Sequence, residues 1–412
     1  MTRIRAILSR LGPGLVAGAS ADDPSAIAAF SIAGAQAGHG FLWFAWLSWP
    51  FMAAVQMMSA RVGMVAGRGL IGALRAKLPR PVLLLAAAAL FVANTVNIGA
   101  DLLGMAAAAS LVTGLRPWLF VVMFGGFIAF MVVKLPYRKL ASAFRWFALF
   151  LAAYAVAAVR LAPGWRAVAR EMFTITLPSG ATEWQILLAL TGATFSPYFF
   201  IWQASQEVEE TRDMRAGGQH LAGTRWEDLR FRRIDVGVGT FLSRAVLFFV
   251  VLTTSLTLHR RAVMPATVGE AAEALRPAGG AAATWLFALG LIGVGFLVVP
   301  VLCASAAYAF ADAFGWRHGL DEGIGSARGF YAVLLLSAVA GIAMQWTNIT
   351  PFEALFWSGV VNGLLAPFLL AGVLLVATDR KMMKEKVSPP VESIAVGATI
   401  VAILAAGAIR FV

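Results

Sequence analysis

Apolar stretches of eighteen residues or more recur along this chain from end to end, and that pattern leaves few folds open. A run of that length crosses the roughly 30 Å hydrocarbon core of a bilayer as an α-helix. Backbone groups in lipid must be satisfied within the protein, so only helices and closed barrels span it. A barrel would need segments of about ten residues with alternating polarity, and the sequence has none. The charged fraction is 13%, against roughly 25% in a soluble domain, and mean hydropathy is +0.79. An all-α membrane protein with the lipid bilayer as its surroundings is expected.

Eleven transmembrane helices are expected, roughly at 11–36, 41–66, 82–113, 117–135, 140–160, 183–209, 234–258, 282–312, 328–346, 352–377 and 393–411. The net charge of +12 does not point to nucleic acid, because Lys and Arg sit between apolar runs and not on one basic face. With a cytoplasmic N-terminus, about twenty-two of them fall in inside loops and about eight outside. The positive-inside rule then places the C-terminus outside, in a multi-pass protein of the cell inner membrane. The segment from Thr211 to Arg233 is expected to be the longest cytoplasmic loop, solvated and orientation-setting. Met1 to Arg10 forms a short basic lead with no clear cleavage motif, so the first helix is expected to stay in the mature protein.

Two spans are interrupted at corresponding places. Asp22-Asp23-Pro24-Ser25 breaks the first, and Gly192-Ala193-Thr194-Phe195-Ser196-Pro197-Tyr198 breaks the sixth. Proline removes a backbone donor and pushes the preceding residue out of the α region, so Asp23 and Ser196 belong in non-helical backbone. Irregular backbone at that depth must line a cavity or be buried in protein. Broken helices five spans apart are the mark of an inverted five-plus-five repeat of the LeuT type, with its site at the repeat interface. The chain is then a single transmembrane domain over 1–412, with repeats at roughly 11–160 and 183–377 and an extra helix at roughly 393–411.

The polar residues at these breaks define the candidate chemistry. Asp23 can offer a carboxylate to a hard cation beside unwound carbonyls, or cap the half-helix that begins at Pro24. Asp22 reads as a cap, a gate or a group behind the ligands, with direct ligation as the alternative. The carbonyls of Ala193 and Thr194 and the Ser196 hydroxyl can face Asp23 across the break. Asn97 and Asp101 share one face of the third span, where Asp101 either passes protons or cations or makes a structural hydrogen bond. Asn362 in the tenth span either lends an oxygen or packs. Gln203 and Gln206 either line a hydrated path or bond a neighbouring helix, while Glu207, Glu209 and Glu210 are expected in solvent at the cytoplasmic end. The candidate cation ligands are thus Asp23, Ser25, Ala193, Thr194, Ser196 and Asn362. The candidate proton or permeation path is Asp22, Asn97, Asp101, Tyr198, Gln203 and Gln206.

Other chemistry has no foothold. Cys303 is the only cysteine, the four histidines have no metal-binding spacing, and no nucleophile-base-acid set appears. No enzyme and no permanently bound cofactor are expected. The tryptophans mostly flank spans, as an interfacial belt does.

The two interrupted segments resemble those of the Nramp family of divalent metal transporters, as a divergent, Nramp-related branch. Nramp proteins generally carry Asp-Pro-Gly-Asn in the first helix and Met-Pro-His in the sixth. Here these read Asp23-Pro24-Ser25-Ala26 and Ser196-Pro197-Tyr198. The resemblance implies a secondary transporter importing a divalent metal ion as substrate, Mn²⁺ or Mg²⁺ first, by alternating access. It matches Asp23 and the Ala193 carbonyl to metal ligands and Asp101 to an acidic residue linked to proton movement. Loss of a thioether at Ser196 removes a preference for softer metals. The ninth span lacks the arginines of the family's proton network, which leaves proton coupling open, as oligomeric state is open too. The alternative cargo on the same fold is a small organic cation or amino acid, held by Asp23 with Tyr198, Phe199 and Trp202 around it.

Overall fold

In the computed structural model, residues 22–134, 151–161, 163–216, 226–276 and 280–411 are described, and among them every regular element is helical. The helices are α1 (Pro24–Ala37), α2 (Leu42–Arg61), α3 (Leu70–Leu74), α4 (Arg80–Thr113), α5 (Pro117–Lys134), α6 (Ala152–Arg160), α7 (Trp165–Met172) and α8 (Ala181–Thr194). After them come α9 (Pro197–Ala216), α10 (Trp226–Thr257), α11 (Val268–Glu273), α12 (Ala283–Phe314), α13 (Arg328–Ala343), α14 (Pro351–Ala377), α15 (Arg380–Met383) and α16 (Pro390–Phe411). Nine helical stretches among the described residues are long and apolar enough to cross a membrane. Of the expected spans, about half of the first and about half of the fifth lie outside the described residues, as does the basic lead before the first.

The expected break in the sixth span is present, and at the first, whose leading half lies outside the described residues, α1 begins at the expected place. Asp23, extended at φ −61° and ψ 164°, is the N-cap of α1, and Pro24 takes the first helical position, where its missing N–H is no loss. Helix α8 stops at Thr194, Phe195 leaves the helical region at φ −112° and ψ 35°, and α9 restarts at Pro197. Pro197 has no N–H to give the Ala193 carbonyl four residues earlier, so that oxygen is released from the helical ladder. Pro50, Pro300 and Pro367 sit inside continuous helices, so proline alone does not make a break.

Small residues let the helices around the breaks approach closely. A Cβ on Gly192 would collide with the Gly359 carbonyl and the Gly363 nitrogen of α14, and one on Gly34 would strike Thr254 of α10. Gly359 and Gly363 form a small-xxx-small pair, the pattern that brings membrane helices into backbone contact. Helix α4 is tied to α12 by Asn94, whose Nδ2 donates to the Leu302 carbonyl at 2.9 Å and to Ser305 Oγ at 2.6 Å.

Two expectations need correcting. The segment from Thr211 to Arg233 is not one solvated loop: α9 runs to Ala216 and α10 starts at Trp226, and Arg232 is buried. Not every tryptophan belongs to a lipid-facing belt either, since Trp43 is buried and donates to the Thr176 carbonyl at 3.2 Å.

Gly192→Ala is expected to lower stability by about 1–3 kcal/mol, the usual penalty for overpacking, because its obstacle is backbone that cannot rotate away. Gly126→Ala, in α5 with nothing near its Cβ, is the control and should not. Thermal unfolding of detergent-purified protein compares them.

Candidate functional site

The centre of the molecule is a lattice of buried polar groups around the first break. Asp23 Oδ1 accepts the Ala26 N–H at 2.6 Å, which is the cap of α1. Its Oδ2 accepts from Asn97 Nδ2 at 3.2 Å and from the Tyr198 hydroxyl at 3.0 Å. Ser25 Oγ lies 3.0 Å from Asn97 Oδ1 and 2.9 Å from Asp101 Oδ1, both acceptors, and receives the Ser358 hydroxyl at 2.7 Å. Asp23, Ser25, Asn97, Asp101, Tyr198 and Ser358 are all at most 1% exposed. Three elements therefore converge on Asp23: α1 by its own cap, α4 through Asn97, and α9 through Tyr198.

Two acceptors here have no donor among the described residues, Asp101 Oδ2 and Asn362 Oδ1. Asn362 sits one turn beyond Ser358 on α14. A buried oxygen without a donor is costly unless water or a cation meets it, so the lattice can still take up a positive guest. No group of three or more His, Cys, Asp or Glu side chains is poised to hold a metal among the described residues. A hard cation here would meet one or two carboxylates, hydroxyls, amides and carbonyls, and would keep water for the rest.

The other candidate residues have these partners. Ser196 is buried beside the second break, but its hydroxyl donates to the Gly192 carbonyl at 2.6 Å and so mends its own helix. Tyr198, expected along the path, holds Asp23 directly. Thr194 Oγ1 accepts from Arg244 Nη1 at 2.7 Å. Asp22 accepts the Ser243 hydroxyl at 2.6 Å, with Arg244 Nη2 4.0 Å away.

Gln203 and Gln206 turn to different partners. Gln203 Nε2 donates to Glu207 Oε1 at 2.6 Å, whereas Gln206 Nε2 is 3.3 Å from the Tyr308 hydroxyl. Glu207 is not in solvent: it is fully buried and pairs with Arg232 Nε at 2.7 Å, and Arg232 also meets Glu210 and, at 2.7 Å, Asp235. Glu209 is buried too, accepting from Tyr308 at 2.6 Å and from the Leu320 N–H at 2.9 Å. Asp312 is likewise buried, accepting the Gly72 N–H at 3.0 Å.

The residue that sequence reasoning missed is Arg244, fully buried in α10. Its signal is present in the sequence. An arginine ten residues inside an apolar span is a functional candidate by default, as much as an acidic group at the same depth.

A sequence model of the Nramp family, described as natural resistance-associated macrophage protein-like, matches residues 14–412. The chain belongs to the Nramp family. It is 26% identical over 391 residues to the divalent metal cation transporter MntH of Deinococcus radiodurans, covering 92% of this chain and 84% of that protein. To the MntH of Klebsiella pneumoniae it is 27% identical over 296 residues, 70% of this chain and 68% of that one. The fold is shared with a manganese transporter of Eremococcus coleocola, at TM-score 0.73 and 16% identity, over 98% of this chain and 86% of that chain. It is shared more distantly with the inward-facing form of Mhp1, at TM-score 0.52 and 14% identity, over 96% and 90%. The architecture is thus the LeuT-type membrane fold, and the chain belongs with transporters, not enzymes.

The amide that meets Asp23 is that of Asn97 in α4, and the Tyr198 hydroxyl reaches the same carboxylate oxygen.

Arg232→Gln should destabilise the protein by about 3–5 kcal/mol, as breaking a buried ion pair does, because Glu207, Glu210 and Asp235 are left facing one another. A lost or strongly lowered unfolding transition is expected, and an unchanged midpoint would place that cluster in water.

Proposed function

We propose that this Nramp protein is a secondary transporter that imports a divalent metal cation, Mn²⁺ or Mg²⁺, across the cell inner membrane by alternating access around Asp23. The observation that carries the reading is a buried carboxylate at the unwound start of α1, with a second helix break bonded to it through Tyr198. The divalent cargo named for the MntH relatives supports it. In this reading Asp23 and the Ala193 carbonyl are the principal ligands. Ser25, Thr194, Ser196 and Asn362 contribute oxygens as the two breaks move. Asp22, Asn97, Asp101, Tyr198, Gln203 and Gln206 flank the route.

The donor chemistry favours a hard ion. Every candidate group offers oxygen, and no thioether stands at position 196, so nothing selects a softer metal over Mg²⁺. The topology that goes with this reading has eleven spans, two inverted repeats at roughly 11–160 and 183–377, a cytoplasmic N-terminus and an outside C-terminus. The Lys and Arg distribution supports that orientation.

Uptake of Mn²⁺ and of Mg²⁺ into proteoliposomes tests the proposal. Asp23→Ala is expected to cut the initial rate at least about tenfold for both ions, and undiminished uptake would remove Asp23 from the site. Ser196→Met adds a soft donor at the break, so calorimetry should show Mn²⁺ or Cd²⁺ binding strengthened relative to Mg²⁺. An unchanged ratio would mean that position 196 does not face the ion.

A further inference from the structure

Each break has lost helical hydrogen bonds, so side chains must set its shape, and one side chain reaches both. Arg244 Nη1 donates to Thr194 Oγ1, at the last residue of α8, at 2.7 Å. Its Nη2 donates to Ser243 Oγ at 3.0 Å, and that hydroxyl passes its own proton to Asp22 Oδ1 at 2.6 Å, immediately before Asp23. Arg244 Cζ also lies 5.6 Å from the centre of the Phe30 ring of α1. Arg244 is fully buried and Asp22 is 5% exposed. A guanidinium is a rigid planar fork that can donate in two directions at once, which an ammonium on a flexible stem does not reproduce.

We infer that Arg244 is a positioning residue for cation transport: it holds the two breaks at a fixed spacing and cancels the charge of Asp22, so that Asp23 meets the cation without a second free carboxylate beside it. The arrangement explains how two adjacent acidic residues share one buried position. Without a counter-charge, Asp22 would bind the cation along with Asp23 and hold it too tightly to release. This inference rests on the transport reading above.

The test is a charge-balance cycle in proteoliposomes with Mn²⁺ as probe, using the unsubstituted protein, Asp22→Asn, Arg244→Gln and the double variant. Glutamine keeps a donor for Thr194 but drops the charge. Arg244→Gln is expected to lower the maximal uptake rate about tenfold and to lower the half-saturating Mn²⁺ concentration several-fold, since release becomes limiting. The double variant restores neutrality and should recover the rate to within about threefold of the unsubstituted protein. Arg244→Lys keeps the charge but not the fork, and is expected to raise the half-saturating concentration instead. A merely structural role predicts the opposite order, with the double variant at least as impaired as the single one, and that result would overturn the inference. So would normal uptake by Arg244→Gln. The unfolding midpoints of the same proteins without metal keep the two readings apart. Recovery of stability in the double variant, with no uptake of Mn²⁺ or Mg²⁺ by any protein, overturns the transport reading and leaves Arg244's hold on both breaks standing.

Discussion

A peptide group in hydrocarbon has no water to turn to, and Pro24 and Pro197 each withhold an N–H that a continuous helix would use. The structure around the centre answers that deficit. Asp23 takes the free Ala26 N–H, Ser196 returns a hydrogen bond to Gly192, and Arg244 ties Thr194 to the Ser243–Asp22 pair. The carboxylate that makes the site chemically interesting is therefore also the cap that lets α1 begin. The cap engages Oδ1, while Oδ2 accepts from Asn97 and Tyr198, so both oxygens of this carboxylate take part in holding the centre together.

The half-helix after the second break carries polar chemistry at both ends. At its start Tyr198 meets Asp23, and further along Gln203 leads into Glu207 and the buried Arg232. On another face, Glu209 and Gln206 meet Tyr308 of α12. Helix α9 is thus pinned to α10 on one side and to α12 and the following loop on the other. A route from Asp23 that passes along α9 has to break either the contacts with α10 or those with α12. Discrete buried contacts of this kind favour two-state rearrangement over continuous bending.

Much of this is legible in the sequence. The apolar runs locate most helices, with boundaries such as 117–135 against Pro117–Lys134 and 352–377 against Pro351–Ala377. The prolines next to Asp23 and Ser196 locate both breaks, because the steric rule before proline acts within two residues. The polar face of Asn97 and Asp101 follows from helical spacing. Glu207, Glu209 and Arg232 look solvated in the sequence and are buried, since a charge near a span end reads the same whether its partner is water or a residue on another helix. The local pattern at the second break does not show that Tyr198 reaches Asp23 or that the Ser196 hydroxyl returns to Gly192.

The sequence by itself determined the all-helical membrane class, the places where helices stop, and the aspartate pair set in non-helical backbone, because each follows from interactions within a few residues. Only the tertiary structure decided which groups meet there. Asn97 brings an amide to Asp23, Arg244 ties Thr194 to the Ser243–Asp22 pair, and Asn362 and Asp101 are left with an acceptor unfilled among the described residues. Those pairings join residues tens to hundreds of positions apart, and they depend on how closely α1, α4, α8, α10 and α14 approach, which small residues such as Gly34, Gly192 and Gly359 permit but do not by themselves specify.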